Sequence, residues 1–298
     1  MILENLQLIL SADDRYTQHL GVTLASLFAN HSANKYRLII NILDGGISDI
    51  NKKKLATVKG DYPAEIIYWP VKPELFKNCP EIGHLKLPTY YRLLIPEIIG
   101  SEVKKVIYLD SDLVVNGDIS ELYEQNLAKQ IIGAVPEISA QEVLAAWETE
   151  NLKTYFNAGV LLIDLEKWRE LKISEQAFDF IAKNAARLKW ADQDALNLVL
   201  RDHWLALEKK FNLQIDRNQK KVANLEPLII HYVGRLKPWE FLYNNYYSRY
   251  YWRYLKKTPW KNYRCPDFNY YDLLKKIIKK IPGTIILRQK LIKWLKNY

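Results

Sequence analysis

Short apolar runs alternate with stretches of helical period across roughly the first 250 residues, which confines this chain to an α/β architecture with a largely parallel sheet. Apolar runs at 6–10, 36–43, 65–69, 103–109, 131–135, 159–165 and 228–232 predict strands. Helical spacing at 17–30, through Leu20, Leu24, Leu27 and Phe28, predicts a crossover helix, and 49–58, 166–184 and 193–201 predict others. The stretch 70–88 holds four prolines and no clear period, so it reads as a long functional loop.

Composition narrows the class further. A chain of 298 residues that is 49% hydrophobic and 26% charged has material for a sizeable core and is neither disordered nor fibrous. Two cysteines, Cys79 and Cys265, are too few for a disulfide scaffold, and no Cys/His spacing suggests zinc. No apolar run approaches the ~18 residues of a membrane span. The first ten residues carry Glu4 and no Lys or Arg, a poor signal peptide, so the expected location is cytoplasmic.

The net charge of +9 is unevenly spread. Residues 253–298 hold thirteen Lys/Arg against Asp267 and Asp272, a net +11, so the preceding 252 residues carry −2. A nucleic-acid-binding body would carry the basic stripe itself, so no nucleic-acid partner is expected. Instead, apolar Leu273, Leu274, Ile277, Ile278 and Ile281 oppose Lys275, Lys276, Lys279 and Lys280, and a second amphipathic pattern follows Pro282-Gly283. That pattern predicts peripheral attachment to an anionic membrane surface at the inner face of the plasma membrane. Two units follow, a domain at 1–260 and a basic tail at 261–298. Aromatic residues crowd 239–260; Phe241, Tyr247, Tyr251 and Leu255 read mainly as a helical core face.

The sharpest motif is Asp110-Ser111-Asp112, directly after a buried strand. Ligands of open α/β sheets gather at strand carboxyl ends, and carboxylates at i and i+2 of an extended segment can converge on one hard cation. Such a cation would neutralise a diphosphate leaving group. His231 ends another apolar strand, and a mixed N/O set suits Mn²⁺ better than Mg²⁺. Gly234 lets backbone approach phosphate, and Lys237 supplies a mobile charge. Asp13 and Asp14 follow the first strand, where a ribose is often held, or cap the next helix. Asp192 reads equally as an N-cap and Gly159 as a turn residue.

Together these pieces resemble glycosyltransferase family 8, the retaining nucleotide-sugar transferases that include lipopolysaccharide galactosyl- and glucosyltransferases. The resemblance is carried by Ser11-Ala12-Asp13-Asp14-Arg15-Tyr16, Thr89-Tyr90-Tyr91-Arg92-Leu93 and Tyr108-Leu109-Asp110-Ser111-Asp112. It continues through Phe156-Asn157-Ala158-Gly159, Asp192-Gln193-Asp194 and His231-Tyr232-Val233-Gly234 to Lys237-Pro238-Trp239. It implies a GT-A fold, a Rossmann-like mostly parallel sheet flanked by helices, acting on UDP-glucose or UDP-galactose with Mn²⁺, or Mg²⁺ as the alternative. By position, Asp110, Asp112 and His231 are the implied metal ligands. Ala12, Asp13, Arg92, Ser111, Gly234 and Lys237 are implied to bind nucleotide-sugar, and Gln193, Asp192 and Asn157 to serve catalysis. His84 is implied near the acceptor, a glycan or glycolipid hydroxyl. Arg15 departs from the family's small polar residue.

Two other functions are weighed. The strand ending at Asp110 also resembles the nucleophile strand of haloacid-dehalogenase-like phosphatases, although about a hundred residues of α/β pattern precede it. A non-catalytic membrane adaptor is the other.

Overall fold

The computed structural model describes residues 3–265, apart from 84, 218, 242 and 244. The expectations for His84 and for the amphipathic tail at 273–296 therefore lie outside the described residues. β1 (Glu4–Ala12), β2 (Tyr36–Asp44) and β3 (Ala64–Pro70) run parallel, joined by α1 (Thr17–Asn30) and α2 (Asp49–Lys59). The chain then returns to the other side of β1 as β4 (Lys105–Leu109), also parallel. β5 (Leu113–Val115), β6 (Ile132–Pro136), β7 (Phe156–Asp164) and β8 (Trp204–Ala206) follow, then β9 (Leu213–Gln214) and β10 (Ile229–His231). The main sheet has the order β3-β2-β1-β4-β7-β6-β8, with β7 antiparallel to both neighbours. A second sheet has the order β5-β10-β9.

Strand alternation builds a core on each face of the main sheet. On β1, Leu6, Leu8 and Leu10 meet Leu20, Leu24 and Leu27 of α1, while Ile9 points to the opposite core. On β4, Ile107 and Leu109 share the α1 face, and Val106 and Tyr108 join the other. A third core unites Val22 of α1 with Ile230, Tyr232, Trp239, Tyr243, Tyr247 and Tyr251. Most of the aromatic stretch is therefore packing. Its helix, Ser248–Leu255, begins after Phe241, which is half-buried outside it.

Several local expectations change. The single helix at 166–184 is two helices, Leu165–Glu170 and Ile173–Asn184, separated at Lys172, whose φ is 51°. Asn157-Ala158-Gly159 lies within β7, so Gly159 is not a turn residue. Asp192 is the first residue of the helix Asp192–Val199; Ala191 occupies the cap position, without a side-chain hydrogen bond. β5, β8 and β9 have two or three residues each, too short to show a period.

Because the chain leaves β1 toward β2 and comes back to β4, the β1/β4 boundary is the topological switch point. The segment 110–112 also links the two sheets. Both facts place the acidic motif at the mouth of a crevice.

Candidate active site and metal centre

A cleft of about 450 Å³ opens at the carboxyl ends of β1 and β4. Its walls include Ser11–Asp13, Arg92, residues 110–112, Asn157, Asp192-Gln193, His231, Val233, Gly234 and Lys237. Elements far apart in sequence thus contribute to one site.

Asp110 is aimed from both of its neighbours. Its backbone N–H donates to the Gly159 carbonyl at 2.8 Å, and its Oδ1 accepts from the Tyr108 hydroxyl at 2.9 Å and pairs with Arg92 Nη2 at 3.1 Å. Its Oδ2 lies 3.7 Å from His231 Nε2. Asp112 is divided in the same way. Oδ2 accepts from Lys237 Nζ at 2.7 Å, while Oδ1 is buried without a hydrogen-bond partner, 3.3 Å from His231 Nε2. His231 Nδ1 lies within hydrogen-bond distance of Asn212 Oδ1, at 3.1 Å. One atom of each residue is tied to the protein, and one ligand atom from each lies within 4.8 Å of the others. Burial pushes the Asp112 carboxyl up and the Lys237 ammonium beside it pulls it down, and on balance it lies well below the usual carboxylate range.

A divalent cation fits this set. The orphaned Asp112 Oδ1 asks for a partner, and two carboxylates with an imidazole are a hard-to-borderline donor set. Gly159 makes the space: a Cβ there would lie 2.2 Å from His231 Cε1 and 2.6 Å from Asp110 Oδ2. The glycine is required for room between the ligands.

Arg92 is 4% exposed, and its partners are all protein groups. Nε donates to the Thr89 carbonyl and pairs with Asp192 Oδ2 at 2.8 Å, and Nη1 donates to the Ala158 carbonyl. It therefore braces Asp110 and Asp192 beneath the cleft. Burial raises Asp192 to about 6, opposed by Arg92 and assisted by the charge of Asp110. Gln193 Oε1 accepts from Ala158 N–H at 2.9 Å, which leaves its buried Nε2 without a protein partner at the cleft wall. Asn157 is fully engaged: Nδ2 donates to Glu137 Oε2 at 2.8 Å, and Oδ1 accepts from Gly159 N–H and Asn212 Nδ2.

At the other end, the Ala12 carbonyl accepts from Gly45 N–H at 2.9 Å, and the Ser111 hydroxyl donates to the Ser11 carbonyl. Asp13 lines the cleft but also caps the turn: Oδ1 accepts from Tyr16 N–H at 2.9 Å and Oδ2 from exposed Arg15. Asp14 turns away, accepting from Ser48 N–H and Asn51 Nδ2 beside the start of α2. Gly234 holds φ at 78°, a conformation L side chains rarely adopt.

Three residues stand out among those in or beside the cleft that were not expected at the site. Glu137 follows β6, the same strand-end signal that marked Asp110. Tyr16 lies at the start of α1 and meets Trp239 edge-on at 6.1 Å. Asn212, completely buried, sits at the end of a short turn and has no sequence signal at all.

Known proteins resemble this chain in sequence and in fold. The family model described as glycosyl transferase family 8 matches residues 7–242. General stress protein A of Bacillus subtilis is 31% identical over 282 residues, covering 89% of this chain and 98% of that protein. A lipopolysaccharide 1,2-glucosyltransferase of Escherichia coli K12 is 26% identical, covering 87% of this chain and 80% of its own. The crystal structure of the galactosyltransferase LgtC, in complex with donor and acceptor sugar analogues, superposes with a TM-score of 0.75 at 26% identity. That match covers 85% of this chain and 96% of the other. The architecture is the GT-A fold.

Proposed function

This chain belongs to glycosyltransferase family 8, and from that premise we propose that it is a retaining hexosyltransferase using UDP-glucose or UDP-galactose. The observation that carries the proposal is the convergence of Asp110, Asp112 and His231 at the switch-point cleft, with Lys237 hydrogen-bonded to the same carboxylate. A cation site beside an ammonium suits a nucleoside diphosphate. The glucosyl- and galactosyltransferase activities named for two relatives support a hexose donor and a glycan or glycolipid hydroxyl as acceptor. The basic stretch at 261–298 supports work at an anionic lipid surface at the inner face of the plasma membrane.

Asp110 Oδ2, Asp112 Oδ1 and His231 Nε2 would hold the ion, Mn²⁺ by donor type with Mg²⁺ as the alternative. When bound, such an ion supplies charge neutralisation at the diphosphate. Lys237 meets the negative charge that develops on departing UDP. The acceptor hydroxyl attacks the anomeric carbon from the face UDP leaves, and its proton passes to the leaving phosphate oxygen. This front-face route is favoured by what the carboxylates are doing. Asp194 is completely buried and accepts from Lys189 N–H, Trp190 N–H and the Tyr155 hydroxyl. Asp192 is held by Thr89 and Arg92. Neither is poised as a nucleophile, and Gln193 is an amide.

The test is Mn²⁺-dependent release of UDP from UDP-glucose and UDP-galactose. Asp110→Asn is expected to lower turnover by about 100-fold or more and to abolish its metal dependence, with an unchanged thermal melt. Wild-type turnover in that variant would remove the proposed centre. Phosphate release from a monoester without UDP release would favour the phosphatase reading instead.

A further inference from the structure

Behind the metal centre runs a chain of side-chain hydrogen bonds whose direction is fixed at its far end. Glu137 is a carboxylate and can only accept, so Asn157 must present its NH₂ group to Glu137 Oε2, 2.8 Å away. The Gly159 backbone N–H can only donate, and at 3.0 Å it fixes Asn157 Oδ1 as the acceptor on the other side. Two independent groups therefore set one amide orientation. Asn157 Oδ1 also faces Asn212 at 2.9 Å, which makes the Asn212 nitrogen the donor and turns Asn212 Oδ1 toward His231. An amide oxygen has no proton to give, so the imidazole nitrogen 3.1 Å away must be protonated. Asn157, Asn212 and His231 are 6%, 0% and 4% exposed, so water does not compete between these three. Glu137 is steadied in turn by Ser139, whose N–H and hydroxyl both donate to Oε1.

We propose that Asn212 and Glu137 are positioning residues that lock His231 in one tautomer, with its proton on Nδ1 and its lone pair on Nε2 facing Asp110 and Asp112. The inference rests on the proposed metal centre and adds the device that prepares it. A histidine free to carry its proton on Nε2 would point that proton at the cation position. Partners of this kind behind a metal ligand characteristically fix its tautomer and strengthen its donation.

The test begins with the metal-free wild-type chain, labelled with ¹⁵N-histidine and examined by NMR in mildly alkaline buffer. The His231 resonances are assigned by their disappearance in His231→Gln. The expected result is a single tautomer protonated on Nδ1. Asn212→Ala is expected to populate the other tautomer and to weaken Mn²⁺ binding about 10- to 100-fold, followed by paramagnetic resonance of the free ion. Glu137→Gln weakens binding less but in the same direction, because an amide cannot accept from both Ser139 and Asn157. Unchanged Mn²⁺ affinity in either variant removes that residue from the proposal. Wild-type protein that binds Mn²⁺ yet carries the His231 proton on Nε2 when metal-free overturns the relay and leaves the metal centre standing. Wild-type protein that binds no Mn²⁺ overturns the centre itself, whatever the tautomer.

Discussion

At the scale of single residues, Asp192 shows how the site opposes the stability of its own fold. It is 1% exposed and faces the repulsion of Asp110, and even the Arg92 guanidinium 2.8 Å away does not restore an ordinary carboxylate. The folded chain therefore keeps the Asp192 proton up to about pH 6, whereas an unfolded aspartate releases it near 3.8. Between those values the native state binds more protons than the unfolded one, so stability falls as pH rises. The span from 3.8 to about 6 corresponds to about 3 kcal/mol. Metal-free Asp192→Asn, which cannot ionise, is expected to lose about 2 kcal/mol less than wild type between pH 4 and 7, measured by urea denaturation. Identical slopes would show that Asp192 ionises normally in the fold. The depressed Asp112 acts in the opposite sense, below pH 3.8, and does not enter this window. Asp110, Asp112 and His231 are legible in sequence because each follows an apolar strand, and strand ends are where such sheets bind. Asn212 is not legible, since its role arises only where a turn brings it against β7 and β10. Gly159 is legible as a glycine but not as a spacer, because the atoms it accommodates come from β4 and β10.

At the scale of elements, long strands with alternating burial and the 14-residue α1 could be read directly. The short strands could not, because two or three residues carry no period. How the C-terminal part of the described chain binds α1 is a tertiary fact of the same kind. Tyr251 of the helix Ser248–Leu255 hydrogen-bonds His19 of α1 at 2.7 Å, and Trp239 stacks on the His19 ring at 3.5 Å. Trp260 lies over Gly21, where an added Cβ would come within 2.6 Å of the indole. Gly21→Ala therefore meets two opposing effects. Helix propensity favours alanine by about 1 kcal/mol, and overpacking costs about 1–3 kcal/mol. Overpacking wins, because the obstacle is a large ring anchored by packing. The variant is expected to lose about 1 kcal/mol in urea denaturation. In a Trp260→Leu background the same substitution is expected to change sign and stabilise. A stabilising Gly21→Ala in the wild-type background would mean that the indole gives way freely, and that the 258–263 segment is not a clamp on α1.

At the scale of the whole molecule, charge separates the site from its proposed address. The first 252 residues carry −2 and hold the acidic centre, while residues 253–298 carry +11. No helix among the described residues is long and apolar enough to cross a membrane. The proposed attachment is through the basic stretch. Each Lys or Arg near an anionic surface contributes about 1 kcal/mol, and the leucines, isoleucines and Trp294 on the opposing pattern add apolar burial. The electrostatic part decays within a Debye length and falls with salt, whereas the apolar part does not. The full chain is therefore expected to co-float with vesicles containing anionic phosphatidylglycerol, weakly with neutral phosphatidylcholine vesicles, and to dissociate partly as salt rises. Removal of residues 270–298 is expected to abolish flotation and to preserve UDP release with a soluble acceptor, because, among the described residues, the packed core reaches Trp260 and every cleft residue lies before it. Flotation that survives the truncation would move the lipid-binding surface onto residues 1–269, which carry a net charge of only +2. Loss of UDP release together with flotation would mean instead that the basic stretch helps to build the cleft, and the division of address from chemistry would fail.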